Sequence, residues 1–303
     1  MSACPVEEQW QTVSKGKGAK KKKGHARGRS IPREAEVLRV SAAGRIRQKI
    51  KEAQEELQSS EFWTICHKTV ERAINKYHTA PPTIPLHHFL NVGTAEFLES
   101  RKDDADRCRT TMNLVCYGIG NFSNSVSSRY QLALLFLLLE TLQISQLSCL
   151  LFDPLFTEWE KRFLKDCGLV VIEENEEGKR SINQPTLFYM IHCGKALYNN
   201  LLWKNWSPQQ LANTIIIGNS FKGIEERLPT RVLQRDYMYI SNILAVTEET
   251  AFPYSNRYLD IFNDTSIHQF PRAKLDSKPT EFWANAAEPT YQQCEDLEII
   301  QNG

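Results

Sequence analysis

Apolar positions in the first third of the chain recur with a helical period. Leu38, Ala42, Ile46, Ile50, Ala53 and Leu57 fall three or four apart, so residues 34–58 are expected to form a helix with one apolar stripe. A second helix is expected over about 61–77, capped by Ser59 or Ser60, with Phe62, Cys66, Thr69, Ala73 and Tyr77 on one side. Two uses are open for this pair: packing on a larger domain, or seating a partner. Packing is favoured, because Phe62 and Trp63 are costly to leave in water. Pro81, Pro82 and Pro85 then form a stiff connector, and the charged stretch 101–109 reads as a loop.

From Met112 the pattern changes. Short apolar runs at 112–117, 147–152, 169–172, 186–191, 214–217 and 242–246 are the expected strands. Between them, 123–143, 156–167, 194–203, a short segment opened by Ser207-Pro208, and 221–228 have helical character. Residues from 274 onward are expected to fray. Continuous apolar strands are those covered on both faces. Strand and helix in alternation imply an α/β fold: a Rossmann-like wound, mostly parallel sheet with helices on both sides. The organisation expected is a disordered basic tail over 1–33, a helical extension over 34–80, the α/β domain over 110–273 and a C-terminal tail over 274–303.

Composition changes this picture little, but charge distribution changes it. The chain has 41% hydrophobic and 24% charged residues, an ordinary globular profile. Its formal net charge of +1 argues against the whole molecule binding polyanions. Positive charge is nonetheless concentrated between Lys15 and Arg29, where no acid interrupts Lys15, Lys17, Lys20, Lys21, Lys22, Lys23, Arg27 and Arg29. That run is either a weak polyanion contact or nuclear address, or a solvated basic tail. The longest unbroken apolar run, 132–139, falls far short of the roughly 20 residues a spanning helix needs, so no membrane contact is expected. Eight scattered cysteines without a Cys-x-x-Cys pair fit reduced thiols in the cytoplasm or nucleus.

Ligands of wound sheets bind beyond the carboxyl ends of the strands. The residues there are Gly118, Gly120, Asn121 and Ser123 after the first strand, Asp153 after the second, and Asn175 and Glu176 after the third. His192 follows the fourth, and Asn219 and Ser220 the fifth. The two glycines have parts of a dinucleotide or adenosyl-methionine loop, with Asp153 placed to hold a ribose hydroxyl. Ser123 stands where a third glycine belongs, and any strand-to-helix turn favours glycine, so a nucleotide loop and a plain turn both remain open. His192 and Cys193 are neighbours on an expected strand and so point to opposite faces, which argues against a dyad or shared metal. Glu173, Glu174, Glu176 and Glu177 read as a solvated charged loop, and His87-His88 lacks the spaced partners of a zinc site. No metal is expected. A Cys4-Pro5 dipeptide has the form seen in some haem-sensing motifs, a two-residue match on a tail.

Several strings add up to a resemblance. Val115-Cys116-Tyr117-Gly118-Ile119-Gly120-Asn121-Phe122 is followed by Phe152-Asp153-Pro154-Leu155-Phe156 and Asn175-Glu176-Glu177-Gly178-Lys179-Arg180. Pro185-Thr186-Leu187-Phe188-Tyr189-Met190-Ile191-His192-Cys193 and Ile217-Gly218-Asn219-Ser220-Phe221 complete them. Together they resemble the "sensitivity to red light reduced" (SRR-like) domain family, over about 113–221. The resemblance implies regulation: light signalling and the clock in plants, clock-gene expression and haem biosynthesis in animals. It supplies no catalytic residues. The alternative is a nucleotide- or adenosyl-methionine-binding enzyme of Rossmann-like fold. Whether haem or a nucleotide is a cofactor, and which proteins are partners, stays open.

Overall fold

The computed structural model describes residues 33–78, 112–284, 286–291 and 299–300, with side chains omitted for 33–42 and 76–78. The basic run between Lys15 and Arg29, the proline connector, the stretch 101–109, His87, His88 and Cys4 lie outside these residues. Two compact units divide at Ser41 and Ala42, and the first contributes only helical backbone from Arg33 to the described residues.

Helices α1 (Arg33–Gln58) and α2 (Glu61–His78) form as the apolar period requires. Within the second unit Ile50, Ala53 and Leu57 of α1 share one buried core with Phe62, Trp63, Cys66, Val70, Ala73 and Ile74 of α2. That core also contains the sheet residues Leu114, Cys116, Leu187, Tyr189 and Ile217, so the helical pair packs on the sheet domain.

The sheet begins with β1 (Asn113–Tyr117), followed by α3 (Val126–Thr141), β2 (Cys149–Phe152), α4 (Glu158–Asp166), β3 (Val170–Val171) and β4 (Thr186–Met190). Helices α5 (Lys195–Lys204) and α6 (Pro208–Ala212) lead to β5 (Thr214–Asn219). After α7 (Phe221–Arg227), α8 (Thr230–Asp236) and α9 (Met238–Ile243) come β6 (Glu248–Ala251), α10 (Leu259–Phe262), β7 (Thr265–Gln269), α11 (Arg272–Asp276) and α12 (Thr280–Trp283). The strand order is β3-β2-β1-β4-β5-β7-β6. The first five strands pair in parallel, and β7 runs antiparallel to both β5 and β6. Alternate residues serve opposite layers. Leu114 and Cys116 face the core of α1 to α4, while Val115 and Tyr117 face that of α5 to α9.

The structure departs from the expectations at several points. Residues 242–246 are not a strand: they end α9 and continue as a 3-10 turn over Leu244–Val246. The reason is spacing, since Ile240, Ile243 and Val246 recur every third residue and all three are buried in one core. The true β6 is polar, Glu-Glu-Thr-Ala, as an edge strand can be. β7 was also hidden, because Thr265-Ser266-Ile267-His268-Gln269 has one aliphatic residue. Finally, α3 starts at Val126 rather than 123, because Ser125 is its N-cap and accepts the Ser128 amide. The fraying expected from 274 is not seen among the described residues, where α11 continues to Asp276, α12 follows and Tyr291 is buried.

Candidate functional site

The turn after β1 is set by its two glycines. Gly118 and Gly120 both have φ of 76°, a left-handed conformation that L side chains disfavour. A Cβ on Gly118 would stand 2.5 Å from Cys193 Sγ, so the glycine also permits close approach of the β4 side. The following residues are clamped by carboxylates. The Gly120 amide donates to Asp153 Oδ2 at 2.6 Å, and the Leu155 amide to Asp153 Oδ1 at 2.7 Å. Burial pushes the Asp153 carboxyl above its ordinary range, against the lowering pull of those two amides. Ser123 donates from its amide and hydroxyl to Glu160 Oε1, at 2.9 and 3.0 Å. The other oxygen of this fully buried carboxylate closes the capping box of α4, accepting from the Thr157 amide and hydroxyl. Asn121 caps its own turn through the Asn124 amide.

A second cluster joins β1 to the loop after β3. The Tyr117 hydroxyl donates to Glu176 Oε2 at 2.6 Å, and the Arg180 guanidinium grips the same carboxylate at 2.9 and 2.7 Å. Burial, then the Glu176 carboxylate, raises the Tyr117 phenol well above its usual pKa, so it stays a donor. Asn175 shapes the loop by accepting the Glu177 amide and reaches the Ile300 carbonyl through its side-chain amide. Glu173 and Glu177 pair with Lys165 and Lys179, so the acidic loop is neutralised by its own neighbours. Among the described residues no group of three His, Cys, Asp or Glu side chains has a metal-binding arrangement.

The third cluster spans β4 and β5. β4 ends at Met190, and His192 sits beyond it in a turn with φ of 58°, so the opposite-face argument for neighbours on a strand does not apply to it. The contrast with Cys193 holds for this different reason: His192 is exposed and Cys193 buried. Asn219 staples the turn, accepting the His192 amide at 2.8 Å and donating to the Cys193 carbonyl at 3.1 Å. The His192 ring Nε2 lies 3.0 Å from the Ile261 carbonyl. Cys193 Sγ donates to the Tyr117 carbonyl at 3.3 Å, tying β4 back to β1. Burial pushes this thiol far above the range of a nucleophile or metal-binding thiolate. Haem ligation by Cys193 therefore does not fit the residues present.

The ten candidates all lie along the carboxyl ends of β1 to β5, and hydrogen bonds tie many of them into three neighbouring clusters. Ser220 stands at the far end. Its hydroxyl donates to Glu249, and it alone of the ten lines a cavity of about 360 Å³ at the β5, β7 and β6 corner. Sequence reasoning placed Arg180 after the third strand but missed the supports Tyr117, Glu160 and Tyr198, the last of which donates to Met190 and accepts the Asn219 amide. Only Glu160 had a local signal, the Thr-x-x-Glu spacing of a capping box.

The geometry bears on ligand type. The amides of Gly118 and Gly120 are engaged by the Phe152 carbonyl and by Asp153. A phosphate cradle needs free amides, so neither of these two glycine amides is offered to a pyrophosphate. Asp153 is another matter: each carboxylate oxygen accepts one backbone amide and retains a further lone pair for a hydroxyl.

Comparison with known proteins gives a consistent result. The family described as "SRR1 domain" matches residues 94–269. An SRR1-like protein of Mus musculus is 39% identical over 245 residues, covering 80% of this chain and 96% of that protein. An SRR1-like protein of Drosophila melanogaster is 31% identical, covering 57% of this chain and 61% of that protein. Protein SENSITIVITY TO RED LIGHT REDUCED 1 of Arabidopsis thaliana is 32% identical, covering 53% of this chain and 59% of that protein.

Proposed function

The chain belongs to the SRR1 domain family, and from that premise we propose that it is a regulatory protein whose working edge is the rim at the carboxyl ends of β1 to β5. The finer reading is regulation of haem biosynthesis and of circadian clock gene expression, from the cytoplasm and also the nucleus. The similarity to a plant protein named for red-light sensitivity supports a signalling role. The observation that carries the rim assignment is the linkage of five strand ends, β1 to β5, through Asp153, Glu176, Cys193 and Asn219. Such a rim holds exposed groups, His192 among them, in fixed relation. Deleting the protein from cells and measuring haem and clock transcripts tests the reading; unchanged levels of both would reject it.

A second reading is favoured by one specific observation. The sheet order places a topological switch point between β1 and β4, beside the glycine turn, and runs 3-2-1-4-5 before the antiparallel β7. That is a methyltransferase-like winding. With the amides engaged and Asp153 able to accept a hydroxyl, adenosyl-methionine suits the turn better than NAD or ATP. A thermal-shift panel of the three discriminates. A ligand at about 100 times its dissociation constant adds about 2.7 kcal/mol of stability. A shift with adenosyl-methionine alone is the expected result under this reading, and none with any of the three rejects it.

A further inference from the structure

We infer that the cavity at the corner of β5, β7 and β6 is a binding site for a small organic cation carrying a flat apolar body. The cavity opens where Ser220 follows β5, where Ala251 ends β6 and where Thr265 starts β7. It therefore lies on the same edge of the sheet as the rim but is a separate space, and its ligand is independent of the reading above. At about 360 Å³ it falls within the size range of small-molecule sites.

Its two sides differ in chemistry. One wall is aromatic. Phe62 stacks on Phe262, and Phe252 and Tyr258 meet the edge of the same cluster. The other wall holds a carboxylate out of water. The Glu249 side chain is 6% exposed and accepts only neutral donors, the Ser220 hydroxyl and the Lys222 amide at 3.2 Å. Opposite it in the β6–β7 register stands His268, 3.7 Å away and fully buried. That ring is no counter-charge. Its Nδ1 donates to the Ile216 carbonyl and its Nε2 accepts the Phe221 amide, which fixes the neutral tautomer. Burial also depresses its pKa to about 4. Among the described residues no lysine or arginine lies within ion-pair distance of Glu249, and Arg227 at the mouth is bonded to Asp264 at 2.6 Å.

A buried charge is normally paired. Here the unpaired carboxylate faces an open cavity, so the missing cation is one that enters from solvent. The aromatic wall selects among cations. Faces of aromatic rings attract ammonium groups and exclude strongly hydrated metal ions, which would need several oxygen ligands. An amine or methylated ammonium on an apolar ring satisfies both walls at once.

The full chain is titrated by calorimetry at pH 7.5 with phenethylamine, phenethyl alcohol and phenylacetate, which share a ring and differ in charge. The cation is expected to bind at least tenfold tighter than either relative. Glu249→Gln is expected to remove that preference. Because this change touches a buried hydrogen-bonded group, Ala251→Trp provides the second variant: it fills the cavity from an exposed edge position and is expected to abolish binding of all three. The inference is overturned by no binding, by equal binding of the three probes, or by tighter binding of phenylacetate to the mouth cations Lys222 and Arg227. Wild-type binding in both variants overturns it as well.

Discussion

Glu160→Ala isolates the clamp that holds the glycine turn. The fully buried carboxylate accepts four hydrogen bonds, two from Ser123 and two from Thr157. Thr157 is exposed, so water replaces the acceptor for its donors at little cost. Ser123 is half-buried and its donors recover less. A bond to a charged acceptor is worth about 1.5–3 kcal/mol, and loss of a helix cap about 1 kcal/mol. Since all four bonds share one group they do not add, and a total of about 3 kcal/mol follows. At roughly 2–4 °C per kcal/mol for a domain of this size, the melting temperature should fall by about 6–12 °C. Glu160→Gln keeps one acceptor oxygen and should lose about half as much. Glu158→Ala removes only a neighbouring surface carboxylate and is expected within about 0.5 kcal/mol of wild type. Urea melts of the three variants give the comparison. If Glu160→Ala costs no more than Glu158→Ala, the buried carboxylate does not hold the turn.

Three further outcomes follow from the same geometry. Gly118→Ala should destabilise by about 3 kcal/mol, from left-handed strain and overlap with Cys193 Sγ, and by only about 1 kcal/mol in a Cys193→Ala background; equal costs in both backgrounds would remove the proposed contact. His268, with its folded pKa depressed to about 4 and an unfolded value near 6.5, contributes stability that is present above about pH 6.5 and lost as pH falls toward 4. The loss is on the order of 3 kcal/mol, read as the difference between wild type and His268→Gln in urea melts from pH 7 to 4.5, and parallel profiles contradict it. Tyr291→Phe removes a hydroxyl that donates to Asn200 Oδ1 at 2.7 Å and accepts from Asn199 at 3.1 Å; a cost of about 1–2 kcal/mol and faster proteolysis of the C-terminal residues are expected.

Much of the fold was legible because its strands are extreme in composition. Val115-Cys116-Tyr117 and Ile215-Ile216-Ile217 are β-rich runs buried on both faces, the mark of a strand covered by two layers. The β6–β7 edge was not legible, since Glu248, Glu249, Thr250, Ser266 and His268 are polar and their pairing is fixed by contacts distant in sequence. The same difference divides the site. Glycine turns and strand-end polar residues are local features, and Gly118, Asp153 and Asn219 stand where the winding places them. What each carboxylate grips is not local: Asp153 meets Gly120 across 33 residues and Glu160 meets Ser123 across 37. The cavity escaped for this reason too, being assembled from α2, α7, β6 and the α10 region.

The rim is tested most directly by rescue. Cells lacking the protein are supplied with the wild-type chain or with an Asn121→Ala, His192→Ala double variant. Both positions retain solvent access, and equal melting curves establish that the variant folds. Haem content and clock transcripts are then measured together. The account predicts that wild type restores both and the rim variant neither; full restoration by the folded rim variant would contradict it.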